Sequence, residues 1–162
     1  MASKNNINNM VIKILRAYPQ IKITPDAIVG FVDILAEKLK NYPDHLLDQV
    51  ADVFMENEID FPRFNVAAIL SYCWNVRGEQ IRFWSNRLQE LKDDWNAGIV
   101  HDKKEWLEIV AGFRKLNAYE WAREVEARIE QYTKPITKPA PEKIEEVRKM
   151  INNLVGSMKV EK

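Results

Sequence analysis

Proline residues divide the first half of this chain into short apolar segments, and this punctuation constrains the fold more than any other feature. Within each segment the apolar side chains recur every three or four residues, which is the period of one helical face. The first stripe comprises Ile7, Met10, Val11, Ile14, Leu15 and Tyr18, and Pro19 follows it directly. Because proline begins or ends a helix but rarely continues one, the pattern predicts short helices and little strand.

Two of the prolines belong to sequence signals for the start of a helix. Thr24-Pro25-Asp26 supplies an N-cap, a proline at the first helical position and an acid in the first turn, and predicts a helix to about Tyr42. Tyr42-Pro43-Asp44 repeats the signal before a third helix. The later stripes are Ile28, Phe31, Val32, Leu35 and Leu39, then Leu46, Leu47, Val50, Val53 and Phe54, then Val66, Ile69, Leu70 and Cys73 after Asn65. Since short isolated helices are marginal in water, we expect a four-helix domain over residues 1–75 that ends near Trp74.

A second helical region is predicted for residues 80–132, as a bundle or an extension of the first. It begins with a heptad-like seam of Ile81, Trp84, Leu88, Leu91 and Trp95. Gly98 ends that helix, Asp102 caps the next and Asn117 caps the last. Their stripes are Trp106, Ile109, Val110 and Phe113, and Trp121, Ala122, Val125, Ile129 and Tyr132.

The C-terminal part combines a linker with an amphipathic helix. Residues 133–141 contain three prolines and two lysines, a composition typical of an extended spacer. Residues 142–162 place Ile144, Val147, Ile151, Leu154 and Met158 on one helical face. The fold class predicted is therefore all-α: a small N-terminal helical bundle, further antiparallel helices, and this terminal helix. Its apolar face either enters a groove of a partner or packs against its own bundle.

Charge and composition indicate a cytoplasmic protein without membrane attachment. The formal net charge is zero, so no global field attracts nucleic acid or an acidic membrane. Residues 1–60 carry six Lys or Arg against nine Asp or Glu, whereas residues 133–162 carry seven against four. Cys73 is the only cysteine, no signal-peptide pattern occurs, and no apolar run approaches the roughly 20 residues of a transmembrane helix.

No residue pattern in the sequence indicates catalysis. His45 and His101 lack neighbouring ligands at metal-binding spacing, and the five glycines form no phosphate-binding loop. The adjacent carboxylates at 93–94 and 145–146 are typical of a solvated helix face. Cys73 falls on an apolar stripe, where cysteine is usually a small buried hydrophobe. We therefore expect a non-enzymatic protein with no metal and no cofactor.

Aromatic and arginine side chains alternate near the middle of the chain. Trp74, Arg77, Arg82 and Arg87 are the candidate nucleic-acid contacts, since aromatic rings stack on bases and arginines pair with phosphates. Core packing is the simpler explanation, because the nearby Trp84 already belongs to the seam. The seam of Ile81 to Trp95 offers a third interpretation: it could pair between two copies of the chain, as in a structural protein that self-associates. The sequence does not determine the oligomeric state.

The first domain also resembles a known family. Ala17-Tyr18-Pro19, a Thr-initiated helix, Tyr42-Pro43-Asp44, and Phe61-Pro62 followed by Ala68-Ile69 occur in the order found in bacteriophage replicative helicase loaders and inhibitors. The resemblance covers roughly residues 5–75. Arg63 departs from it, since a second proline is expected there, and so does the helical region beyond residue 80.

This resemblance implies an adaptor that brings a replicative DNA helicase to an origin-bound initiator, with ATP handled by the helicase. It implies that the first domain faces the initiator and the C-terminal region faces the helicase. The residues expected to supply the apolar contact are Ile144, Val147, Ile151, Leu154 and Met158. Lys143, Arg148 and Lys149 would steer the tail toward an acidic surface.

Overall fold

The computed structural model describes residues 2–58, 62–135 and 149, and this part of the chain is all-α, as the sequence predicts. The helices are α1 (Lys4–Ala17), α2 (Pro25–Lys38), α3 (Leu47–Asn57), α4 (Val66–Asn96), α5 (Lys103–Lys115) and α6 (Tyr119–Tyr132), with a 3₁₀ turn at Asp44–Leu46 before α3. Phe61 and nearly all of the predicted linker and terminal helix lie outside the described residues.

The predicted starts of α2, α4 and α5 are confirmed by their caps, whereas Pro43 and Asp44 begin the 3₁₀ turn before α3 without a side-chain cap. The Thr24 hydroxyl accepts a hydrogen bond from the Ala27 N–H at 3.3 Å, with Pro25 at the first position of α2. The Asn65 side chain accepts from the Ala68 N–H at 2.9 Å and begins α4. Asp102 caps α5. These side chains satisfy amide donors that the first turn of a helix leaves without partners.

The first three helices and the first half of α4 form one helical unit. α1 packs against α2 and α3, and both α2 and α3 pack against α4. The side chains that fill its core include Ile7, Ile14, Leu35, Leu47, Phe54 and Ile69. Polar contacts also join its elements: Lys13 of α1 pairs with Asp48 at 2.7 Å and Asp52 at 2.8 Å, and the buried Tyr42 hydroxyl donates to the Cys73 carbonyl at 2.8 Å.

The fourth helix corrects the sequence prediction. A helix ending near Trp74 and another beginning at Gln80 were expected, but α4 runs without interruption for 31 residues, about 46 Å. The boundary drawn between residues 75 and 80 therefore lies inside a helix. The apolar stripe continues through Val76, which is buried, and Gly78 lies within the continuous helix. Gly98 does end the helix region as predicted, with φ of 90°.

The second half of α4 packs against a hairpin formed by α5 and α6. Leu88 and Leu91 are buried, and Ile81, Trp84 and Trp95 pack against the core, so the seam is used within the chain. The predicted stripe of α5 is buried throughout, at Trp106, Ile109, Val110 and Phe113. Trp106 stacks on Tyr132 of α6, with ring centroids 4.4 Å apart.

The start of the last helix differs from the prediction. Asn117 is not its N-cap: α6 begins after Ala118, whose position has no side-chain cap, and Asn117 adopts a left-handed φ of 55°. Ala122, Val125, Ile129 and Tyr132 are buried as expected, but Trp121 is 46% exposed. The buried set already repeats at three- and four-residue intervals without Trp121, so this side chain lies at the edge of the stripe and is only partly covered.

Candidate binding groove

An open groove lies where the middle of α4 meets the start of α6. It has a volume of about 500 Å³. The side chains that line it include Arg77 and Ile81 from α4 and Tyr119, Glu120, Trp121 and Arg123 from α6, with Asn117 from the preceding turn. Both helical units therefore contribute to one surface, because α4 belongs to both.

Aromatic side chains give the groove its exposed apolar area. Tyr119 is 53% exposed and Trp121 is 46% exposed, while Ile81 is half-buried beside them. Trp121 stacks on the buried Phe113 at a centroid distance of 5.7 Å, which holds its ring in place. Trp74, 48% exposed, lies one helical turn before Arg77 on α4. Exposed aromatic groups gathered in a concave surface are typical of an interaction site.

Arg77 is held at this groove by the end of α5. Its Nε donates to the Leu116 carbonyl at 3.0 Å, and Nη2 reaches the Asn117 carbonyl at 3.4 Å. These carbonyls are acceptors that the last turn of a helix leaves without intrahelical partners. Since a guanidinium has five N–H donors, three remain for a ligand.

The turn beside the groove is tied to the N-terminal unit. The Asn117 Nδ2 donates to the Asn41 carbonyl at 2.9 Å, and the Tyr119 hydroxyl donates to the Asn117 Oδ1 at 2.9 Å. Together with Arg77 these bonds fix the α5–α6 turn against the rest of the molecule. The groove is therefore a preformed surface, which lowers the entropic cost of binding.

The predicted nucleic-acid contacts are not brought together. Arg77 lines the groove, and Trp74 packs against Tyr42 with ring centroids 6.1 Å apart. Arg87, 13 residues beyond Trp74, points roughly 140° away from it around the helix axis. Arg87 is also paired with Glu90 at 3.0 Å and Glu105 at 3.3 Å. Arg82 is exposed and does not line the groove. These four residues therefore form no continuous basic surface.

Cys73 is used in packing. Its side chain is fully buried, and burial raises the pKa of its thiol to about 12, so a thiolate is strongly disfavoured. Within residues 2–58 and 62–135, no three His, Cys, Asp or Glu side chains are grouped as metal ligands would be. None of the helices in the same ranges has the length and apolar content that crossing a bilayer requires.

Comparison of the chain with protein-family models, with curated proteins and with solved structures finds no match. The helicase-loader resemblance therefore remains a prediction from its short motifs. The tail residues assigned to partner binding, Ile144, Val147, Arg148, Ile151, Leu154 and Met158, lie outside the described residues.

Sequence reasoning missed three residues of the groove, Tyr119, Trp121 and Arg123. Trp121 was assigned to the buried stripe of its helix, and the other two were given no role. One signal was present in the sequence: four apolar residues already complete the stripe of α6, so an additional tryptophan next to it is in excess. Nothing in the local sequence pairs this tryptophan with Arg77, which is 44 positions earlier.

Proposed function

We propose that this chain is a non-enzymatic adaptor that binds other proteins. The observation that supports it is the groove itself, in which exposed tyrosine and tryptophan side chains and two arginines line a fixed concave surface. Tyr, Trp and Arg are the residue types that contribute most to binding energy at protein interfaces. The continuous α4 supports the same function, since one stiff helix links the two units of the adaptor.

The resemblance of residues 5–75 makes the proposal more specific. We propose that the partner is a replicative DNA helicase in phage-type DNA replication, which this chain loads or regulates, and that an origin-bound initiator is a second partner. Contact with the helicase is assigned to the tail residues Ile144, Val147, Ile151, Leu154 and Met158, with Arg148 adding charge. Because the helicase contact is assigned to the tail, the groove is available to a second partner.

Binding of nucleic acid is the weaker alternative. An ssDNA platform needs a groove of positive charge that follows the backbone over several nucleotides. Here the carboxylates of Glu90 and Glu105 neutralise Arg87, and Glu120 adds a negative charge to the lining of the groove. Self-association through the Ile81–Trp95 seam is also disfavoured, because that seam is occupied by α5.

Affinity purification from the native host tests the adaptor function. The full chain, a chain ending at Tyr132, and the double variant Ile151→Asp with Leu154→Asp serve as baits. We expect the full chain to retain the hexameric helicase and the other two baits to lose it. The double variant should keep the far-ultraviolet circular dichroism of the full chain. Retention of the helicase by the double variant would contradict the role of the tail. Recovery of nucleic acid alone, lost after nuclease treatment, would contradict the adaptor function.

A further inference from the structure

We infer that the groove between α4 and α6 binds a short acidic peptide segment with an apolar or aromatic anchor residue, supplied by a partner protein. This inference rests on the proposed adaptor function and specifies the chemistry of one of its partners. It concerns Arg77, Ile81, Tyr119, Trp121 and Arg123, a set that comes together only in the folded chain.

The apolar part of the groove selects the anchor. Ile81 is half-buried, and the rings of Tyr119 and Trp121 expose about half of their surface. A volume of about 500 Å³ accommodates one or two large side chains together with their backbone, but not a folded domain. Covering these rings removes apolar area from water and drives association.

The charge of the groove selects the acidic residues around the anchor. Arg77 keeps three N–H donors after its bonds to the carbonyls of Leu116 and Asn117. Arg123 is exposed, and no carboxylate of the described residues lies within ion-pair distance of its guanidinium. Planar guanidinium groups bind carboxylates through paired hydrogen bonds. Glu120 is the one acidic side chain of the lining, so the groove favours a ligand of negative charge.

The same geometry favours a peptide over a nucleic-acid strand. A strand would need further cations beyond the groove, yet Arg87 is neutralised by Glu90 and Glu105, and Arg82 is on another side of α4. A peptide of three or four residues needs only the two arginines of the groove. Because Arg77 is fixed by its hydrogen bonds, little side-chain entropy is lost on binding.

Fluorescence anisotropy with a defined probe tests this inference. The probe is a fluorescein-labelled 12-residue peptide in which Asp and Glu flank Phe and Leu, and the comparison probes are the same peptide with Lys in place of the acids, and a labelled 12-nucleotide poly(dT). We expect the full chain to bind the acidic peptide at least tenfold more tightly than either comparison probe. Arg123→Glu and Trp121→Ala should each weaken that binding by about tenfold or more.

Two matched variants control for charge and for loss of an exposed aromatic ring. Arg82→Glu makes the same charge change on a face of α4 outside the groove, and Phe83→Ala removes an aromatic side chain that is 61% exposed there. Both should change the affinity by less than about twofold. Trp121→Phe keeps a ring over Phe113 and replaces Trp121→Ala if that variant fails to fold.

Several outcomes would overturn the inference. One is that the acidic peptide fails to bind, and another is that Arg123→Glu and Arg82→Glu reduce the affinity for it equally. A third such outcome is that poly(dT) binds more tightly than the peptide and that Arg123→Glu abolishes this binding. Helicase capture by the same variants separates the two proposals. Capture that persists without peptide binding refutes only the groove chemistry. Peptide binding by a chain that captures no protein refutes the adaptor function and leaves the groove chemistry standing.

Discussion

The indole of Trp84 in α4 lies directly over Gly112 in α5. A Cβ atom built at Gly112 meets the Cε2 atom of Trp84 at 2.2 Å and its Cδ2 atom at 2.4 Å, distances that no real methyl group adopts. The close approach of the two helices at this point therefore requires the absence of a side chain. Trp84 is consequently a packing residue, in agreement with the core interpretation of its stripe.

Gly112→Ala should lower the free energy of unfolding by about 1–2 kcal/mol. The helix preference of alanine contributes roughly 1 kcal/mol in the opposite direction, but displacing the indole of Trp84 costs more. Gly78→Ala is the matched control, since an added methyl there meets nothing within 4 Å, and it should raise the stability by up to about 1 kcal/mol. Urea unfolding of both variants measures the difference. A stabilising effect at both positions would contradict the close contact.

The loop between α3 and α4 is closed by Glu58, whose side chain is buried. Its carboxylate accepts hydrogen bonds from the Arg63 guanidinium at 2.8 and 3.0 Å, from the Arg63 backbone N–H at 3.0 Å and from the Tyr72 hydroxyl at 3.0 Å. Arg63 stands where the resemblance to helicase loaders predicts a second proline. It supplies a backbone donor and a cation that proline lacks.

Glu58→Gln should lower the stability by about 1–2 kcal/mol near neutral pH, and the effect should disappear in acid. The Arg63 guanidinium, the Arg63 N–H and the Tyr72 hydroxyl lower the pKa of Glu58 from 4.5 to about 2. A lowered pKa adds stability above the unfolded value, so the contribution is present above pH 4.5 and is lost as the pH falls toward 2. Thermal unfolding across this range measures it. Glu56→Gln is the matched control, since Glu56 is exposed on α3 and accepts none of these hydrogen bonds.

His101 links the end of α4 to the start of α5. Its Nε2 lies 2.8 Å from the Asp94 carboxylate and its Nδ1 lies 3.2 Å from Glu105. A neutral imidazole can donate only one of these hydrogen bonds, so the arrangement fits the protonated ring. The hydrogen bond to Asp94, and then that to Glu105, raises the pKa of His101 above its usual 6.5.

Asp94→Asn should therefore lower the pKa of His101, which a proton NMR titration of its ring measures. In the native chain the raised pKa adds stability that is fully present below pH 6.5 and is lost as the pH rises through the folded-state value. The Asp94→Asn variant should lose less stability than the native chain over that pH range. Asp93→Asn is the control, because Asp93 makes no contact with His101 and its carboxylate accepts from Gln89. An unchanged titration in Asp94→Asn would contradict the ion pair.

Asn117 combines a left-handed backbone with a tether between the two helical units. Asn117→Gly keeps the backbone conformation but loses the hydrogen bonds to Asn41 and Tyr119, and should cost about 1 kcal/mol. Asn117→Ala loses the same hydrogen bonds but keeps a Cβ in the left-handed region, without the polar side chain that lets asparagine adopt this conformation, and should cost about 1 kcal/mol more than Asn117→Gly. Chemical denaturation distinguishes the two contributions. Equal stability of the two variants would show that the φ of 55° causes no strain.

The beginnings of the helices could be predicted because they depend on neighbouring residues. Thr24 and Asn65 cap helices through an amide three positions later, and the stripe of α5 repeats with the helical period. Asn117 shows where such local reasoning fails. Its side chain has the chemistry of an N-cap, but it accepts a hydrogen bond from the Tyr119 hydroxyl and donates to Asn41, 76 positions away. No local pattern reports a partner at that distance.

The sequence by itself determined the all-α class, the starts of α2, α4 and α5, and most of the buried stripes, since capping and helical period are properties of a few consecutive residues. Only the tertiary structure decided that α4 continues past Gly78, that Trp121 faces solvent, and that Arg77 lies beside it. Each of these depends on which helix packs against a given face. That choice minimises exposed apolar area and unpaired polar groups over the whole molecule, and no single segment contains it.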